Sequence, residues 1–266
     1  MEIGAETRAL VTGASSGIGR AVAHALAGRG ATVGLLARRH AELAATAAAL
    51  PGSGHVVLPC DVSDRDAVDA AVAEFVERAG GLDLVVANAG VTNYGPFSSQ
   101  PPEHVVRMTE INWYGTVWTV QAALGVLLDR AHGHVVVVSS GGALRSFPWS
   151  AVYNATKAAQ RAFGEALRHE LSGTGVSLTM VYPGEIATSL HDHEKDTMPD
   201  WYRGGPNAAS PDALAEKILA GVRADARAVY YPPIVRLLGA LHNISPKASD
   251  ALLRRLRGGA AAPRRD

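Results

Sequence analysis

Short runs of Val and Leu alternate along the chain with longer stretches whose apolar positions recur every three or four residues. The short runs are Arg8–Val11, Thr32–Leu36, His55–Leu58, Leu82–Ala87, His134–Ser139 and Val176–Val181. They lack apolar–polar alternation, so they suit strands covered on both faces. The stretches between them, Ile18–Arg29, Ala41–Leu50, Arg65–Arg78, Glu103–Leu128 and Val152–Leu171, carry helical periodicity. Ser63 and Asp64 are candidate N-caps for the third helix, and Gly30 and Gly80 are natural stops for the first and third. A further helix, Asp212–Val222, precedes a seventh short run at Ala228–Tyr231. This order predicts an α/β fold: a doubly wound parallel sheet of about seven strands with helices on both faces. Ligands of such sheets gather beyond the carboxyl ends of the strands, where the strand order switches.

With 266 residues and 47% apolar content, the chain can bury a full core as one unit. We expect a dinucleotide-binding and catalytic domain over 1–231, with 232–266 as a basic amphipathic extension of it. The 25 basic and 25 acidic residues cancel, which gives no general electrostatic case for nucleic acid. The one cysteine, Cys60, cannot close an internal disulfide and fits a reducing compartment as a buried structural thiol. No apolar run approaches the roughly 18–20 residues that span a bilayer, and the first residues do not read as a leader. A cytoplasmic protein is expected.

The segment Thr12-Gly13-Ala14-Ser15-Ser16-Gly17-Ile18-Gly19 links the first strand to the first helix. In that context three spaced glycines signal a phosphate cradle. Gly13 permits the tight turn, while Gly17 and Gly19 leave room for a pyrophosphate at the positive end of the helix. The second strand ends Ala37-Arg38-Arg39 rather than on a carboxylate. Guanidiniums there accommodate a 2′-phosphate, so NADP(H) is expected over NAD(H). Asp61-Val62, after the third strand, can approach an adenine, or Asp61 can serve as a turn residue.

Tyr153 and Lys157 are four residues apart and share one face of a predicted helix. A phenol ionises at about pH 10, and a nearby ammonium lowers that value toward neutrality. The pair is a candidate general acid–base.

In combination, TGASSGIG at 12–19, ANAG at 87–90, Asn112, Ser140, YNATK at 153–157 and YPG at 182–184 resemble the short-chain dehydrogenase/reductase family, over about Thr7 to Val222. The resemblance implies a single Rossmann-type domain, hydride transfer between a nicotinamide and a carbonyl or secondary alcohol, and a homodimer or homotetramer built on the long helices. It makes Tyr153 the acid–base, Ser140 its partner on the substrate oxygen, and Lys157 the cation that also binds the nicotinamide ribose. Ser139 would point the other way, and Asn112 would hold a water against the lysine. Asn88, Ala89 and Gly90 would form the turn beside the cofactor, with Ala87 departing from the family's usual asparagine. Pro183, Gly184, Ile186 and Thr188 would close over the nicotinamide. A non-catalytic nucleotide sensor or scaffold on the same fold is the alternative, although such proteins typically lose the tyrosine or the lysine.

The irregular stretch 189–206 reads as a substrate cover, contributing Met198, Trp201 and Tyr202. Leu144, Phe147 and Trp149 would form a second wall with Tyr94 opposite, which points to a hydrophobic ketone. His191 and His193 lack a third ligand, so no metal is expected. From Arg227 to the end, eight basic residues face Asp250 and Asp266, a net of +6, and leucines recur at helical spacing. This segment can lie on a membrane surface or pack on the subunit with its basic side in water.

Overall fold

The computed structural model describes residues 1–192, 198 and 208–256. Seven strands, β1 (Arg8–Thr12), β2 (Thr32–Ala37), β3 (Val56–Pro59), β4 (Leu84–Ala87), β5 (Gly133–Val138), β6 (Val176–Pro183) and β7 (Ala228–Tyr231), form one sheet in the order β3-β2-β1-β4-β5-β6-β7. Every neighbouring pair is parallel. The chain winds outward in one direction from β1 to β3 and in the other from β4 to β7. The order therefore switches between β1 and β4, and the crevice beyond their carboxyl ends is where a ligand belongs.

Helices α1 (Gly17–Ala27), α2 (His40–Ala49) and α7 (Pro211–Arg223) cover one face. Leu26, Leu43, Leu214, Ile218 and Leu219 pack there against Val11, Val33, Leu35, Val86 and Val136. The other face is covered by α3 (Arg65–Ala79), α5 (Gly115–Asp129) and α6 (Ala151–Glu170). Phe75, Val120, Leu127 and Leu167 meet Leu10, Val85, Val135, Val137 and Leu178 there. Burial on both faces is the reason the strands read as unbroken apolar runs. Polar side chains are also buried in the strands, His134 of β5 among them at 1% exposure. Its Nε2 lies 2.8 Å from Thr179 Oγ1, whose own proton goes to the Ala226 carbonyl at 2.7 Å. Nε2 must therefore be the donor, and burial lowers the histidine pKa to about 4, keeping the ring neutral.

Asp64 caps α3 by accepting the Ala67 N–H, and Gly80 ends that helix in the left-handed conformation, as expected. Ser63 does not share the cap; its hydroxyl donates to Asp61. The first helix stops at Ala27, ahead of Gly30, which supplies the left-handed turn with φ +88°. The stretch read as one helix from Glu103 to Leu128 is three pieces: α4 (Pro102–Met108), a π-helical turn (Thr109–Tyr114) and α5. Apolar periodicity does not reveal one extra residue wound into a turn, and such turns favour functional sites. The chain closes with α8 (Ile234–Ile244) and α9 (Pro246–Leu256). Val235 of α8 seats against Gly141 and Gly184, and Arg145 reaches Ser249 at 3.0 Å and Asp250 of α9.

Candidate active site

The carboxyl ends of β1 and β4 are tied together at the switch point. Thr12 Oγ1 accepts the Asn88 and Ala89 N–H groups at 3.0 and 3.1 Å, and Asn88 Nδ2 donates to the Thr12 carbonyl at 2.9 Å. Above this knot the glycine turn leads into α1. Gly13 and Gly17 have φ of +67° and +53°, where a side chain would be strained. A Cβ on Gly19 would lie 2.3 Å from the Gly13 carbonyl oxygen, and one on Gly17 would lie 3.1 Å from Thr188 Cγ2. Ser16 precedes α1 without capping it through its side chain. The glycines thus let α1 pack closely on the β1 turn and on Thr188, and the first N–H groups of this eleven-residue helix, uncapped by a side chain, fit a pyrophosphate. Ile18 packs on the α1-side core, so only its backbone can serve that space.

Arg39 Nη2 approaches Ser15 Oγ at 3.5 Å and Nη1 approaches Glu42 at 3.3 Å. Arg38 faces Asp61 at 3.8 Å. Asp61 is also a turn residue, its Oδ1 taking the Ser63 N–H and hydroxyl at 3.1 and 2.8 Å. The Val62 side chain is buried against Gly115. Cys60 is 6% exposed, and burial pushes its thiol up to about 11, which suits an inert core residue.

The tip of β5 grips α6 at two points. Ser139 is buried and donates to the Lys157 carbonyl at 2.8 Å, while Lys157 Nζ donates to the Val138 carbonyl at 3.1 Å. Ser140 caps the 3₁₀ turn Gly141–Ala143 by accepting the Gly142 N–H at 3.0 Å. Gly142 in turn lies against Asn154, the residue after Tyr153; a Cβ there would sit 2.3 Å from Asn154 Oδ1 and 3.4 Å from Ser140 Oγ. The strand end thereby carries Ser140 to the first turn of α6, and Lys157 Nζ stands 5.8 Å from the Tyr153 ring centroid. Lys157 is 4% exposed, and burial lowers its pKa to about 7.

Asn112 is fully buried in the π-helical turn. Its side chain pairs with the backbone of Val91, Oδ1 accepting at 2.8 Å and Nδ2 donating at 3.0 Å, and Nδ2 also reaches Thr156 at 3.0 Å. Its carbonyl accepts from Gln160 Nε2 at 2.7 Å and from Thr116 Oγ1 at 2.8 Å, which fills both lone pairs. A water between Asn112 and Lys157 must then use Oδ1. Gly90 leaves the room: a Cβ there would lie 3.3 Å from Asn112 Oδ1, 3.5 Å from Lys157 Nζ and 3.9 Å from the Asn88 carbonyl. Sequence reasoning passed over Gln160, Thr156 and Thr12. Gln160 had a signal, being an amide three residues from Lys157 and so on the same helix face.

Past β6, Gly184 N–H donates to the Tyr231 carbonyl at 2.7 Å, Ile186 bridges to Ala209, and Thr188 caps the turn Ser189–His191. Pro183 is buried at the strand end. Of the expected substrate walls, Tyr94 is 9% exposed with its ring 5.4 Å from that of His191. The loops meet where Gly95 N–H donates to the Trp149 carbonyl at 2.9 Å, and Trp149 itself holds φ +66°. A bulky residue in that conformation is strained, as residues at ligand sites often are. Phe147 is half-buried and Met198 is 2% exposed. Leu144 is half-buried and lies against Gly239 of α8. His193, Trp201 and Tyr202 lie outside the described residues. Among the described residues no cluster of three His, Cys, Asp or Glu could hold a metal. A cavity of about 290 Å³ lined by Arg168, Tyr182, Tyr230 and Arg236 shares no residue with this constellation.

The short chain dehydrogenase family model matches residues 7–199, and the chain belongs to that family. An uncharacterized oxidoreductase of Myxococcus xanthus (strain DK1622) is 40% identical over 193 residues, 72% of this chain and 76% of that protein. Glycine betaine reductase ATRR of Emericella nidulans is 37% identical over 220 residues, 81% of this chain but only 17% of that longer protein. Among solved structures, a short-chain dehydrogenase/reductase from Burkholderia phymatum in complex with NAD superposes with a TM-score of 0.84 at 23% identity, over 93% of this chain and 96% of that one, a likeness of fold. Actinorhodin polyketide ketoreductase with NADPH superposes with a TM-score of 0.79 at 29% identity, over 85% and 95%. The chain is thus an oxidoreductase of the short-chain type.

Proposed function

We propose that this protein is an NADP(H)-dependent carbonyl reductase or alcohol dehydrogenase acting on a hydrophobic ketone or the matching secondary alcohol. The observation that carries the reading is the buried Lys157 amine, anchored to the Val138 carbonyl one helical turn from Tyr153. A structural lysine would send its amine to water; this one is held inside at a cost to its protonation.

The nicotinamide, when bound, supplies the hydride to the carbonyl carbon, or removes it from the alcohol carbon in reverse. Gly13, Gly17, Gly19 and the start of α1 would hold the pyrophosphate, with Ser15, Ser16, Gly90 and Thr188 around it. Arg39, already beside Ser15, and Arg38 would take the 2′-phosphate. In reduction, Tyr153 Oη donates its proton to the substrate oxygen as negative charge builds there. Ser140 uses a lone pair on Gly142 and keeps its hydroxyl proton for the same oxygen. Lys157 Nζ stabilises the phenolate left behind, and a polyanionic dinucleotide nearby favours the charged amine against burial. A water over Gly90, between Lys157 Nζ and Asn112 Oδ1, would return the proton. Positioned acid–base help of this kind is worth about 10²–10⁴-fold in rate. Exposed Tyr114 and Leu128 on the Thr109–Asp129 stretch suit the homodimer or homotetramer we propose on the long helices.

NADPH oxidation with a panel of aliphatic and aromatic ketones tests the reading. We expect turnover with the parent protein, and in Tyr153→Phe a loss of about 10²–10⁴-fold with cofactor binding retained. Tight NADPH binding without turnover of any ketone would favour the sensor or scaffold alternative, and full turnover in Tyr153→Phe would remove the assigned acid–base.

A further inference from the structure

Helix α8 has two apolar faces. Val235 and Gly239 turn inward, onto Gly141, Gly184 and Leu144. On the outer side Ile234, Leu237 and Ile244 are 50%, 62% and 84% exposed, and half-buried Leu241 completes their stripe at helical spacing. Leu252 of α9 adds another exposed aliphatic. A contiguous apolar strip of this kind on a water-facing helix marks a contact surface.

Helix α9, which follows and packs on α8, is mostly basic. Lys247 and Arg254, seven residues apart, share the side of α9 away from buried Ser249, and Arg255 stands beside them. No described carboxylate pairs with any of the three. Asp250, the one acidic residue between 234 and 256, is held by Arg145. The sequence continues with Arg257, Arg264 and Arg265 against Asp266.

We propose that the α8–α9 pair docks onto an anionic lipid surface, with the Ile234–Leu237–Ile244 stripe entering the headgroup–acyl boundary and Lys247, Arg254 and Arg255 contacting headgroup phosphates. Apolar stripe and basic flank together form the pattern of a helix lying in the interface plane. Among the described residues no helix is long and apolar enough to cross a membrane, so the contact is peripheral. A second copy fits this face poorly. A two-fold contact would set one basic flank against the other. Because α8 also packs on the turn after Ser140, docking would bring the catalytic side of the sheet close to the lipid.

Partition onto sedimenting vesicles tests the proposal independently of any ketone chemistry. Phosphatidylcholine–phosphatidylglycerol vesicles should bind the full chain at low salt, and phosphatidylcholine alone should not. Lys247→Gln with Arg254→Gln should weaken partition about fivefold per cation removed, with added salt acting in the same direction. Leu237→Glu with Ile244→Glu should abolish it while NADPH binding and Tm stay at parental values. Failure to bind anionic vesicles, or equal binding to neutral ones, would overturn the proposal. So would a parental dimer that Leu237→Glu with Ile244→Glu dissociates, since a second copy would then cover the stripe.

Discussion

Replacing Gly19 by alanine puts one methyl group where the structure has no room for it. The new Cβ would lie 2.3 Å from the Gly13 carbonyl oxygen, 2.8 Å from the Gly13 carbonyl carbon and 2.6 Å from Asn88 Nδ2. The worst of these contacts falls about 1 Å short of ordinary van der Waals separation. Neither neighbour can swing aside cheaply. The Gly13 carbonyl belongs to a left-handed turn, and Asn88 Nδ2 is bonded to the Thr12 carbonyl. Overpacking of this kind costs about 1–3 kcal/mol, and loss of the Asn88 bond adds about 1 kcal/mol. At roughly 2–4 °C per kcal/mol for a chain of this length, Tm should fall by about 5–15 °C. The displaced turn also carries the N–H groups assigned to the pyrophosphate, so NADPH affinity should drop at least about tenfold, since a 1 Å misplacement is expensive at such a site. Differential scanning calorimetry and fluorescence titration with NADPH measure both effects. Gly125→Ala is the control, because nothing lies within 4 Å of a Cβ there. Parental Tm and affinity in Gly19→Ala would refute the close approach of α1 to the β1 turn, and with it the phosphate cradle.

The charged side chains give two further outcomes. Arg39→Asp should reduce the ratio of NADPH to NADH affinity by roughly tenfold or more, from the worth of a charge-assisted hydrogen bond; Arg38→Asp should act in the same direction, and unchanged ratios in both would remove the arginines from cofactor choice. Lys157 has a folded pKa of about 7 against an ordinary value of 10.5, so between those values the unfolded chain holds a proton that the folded chain lacks. Stability should therefore rise with pH across that window, and Lys157→Met should flatten the rise while keeping the fold; equal slopes in calorimetric Tm against pH would show that the amine is not buried as described.

The sheet was legible because burial on both faces leaves short, unbroken runs rich in Val and Leu. The cap at Asp64 and the stop at Gly80 were equally legible, each resting on local chemistry. Features that depend on distant partners were not. Nothing near Leu144 in sequence says that Gly239 will lie against it. Nothing near Asn112 in sequence says that Gln160, forty-eight residues on, will occupy its carbonyl. The C-terminal leucines announced helices and Pro246 marks the break between them, but the inward seating of Val235 depends on the distant Gly141 and Gly184.

The π-helical turn at Thr109–Tyr114 makes this part of the chain sensitive to length rather than to residue type. Removing one residue there would take out the extra residue wound into the turn, let the winding relax to the ordinary α pitch and move Asn112 away from its place opposite Val91. Exposed side chains there outside the proposed subunit contact could be exchanged with little effect, yet a single codon lost would unseat Asn112 from Val91. Natural variants of this protein should vary in identity at those positions and hold their count.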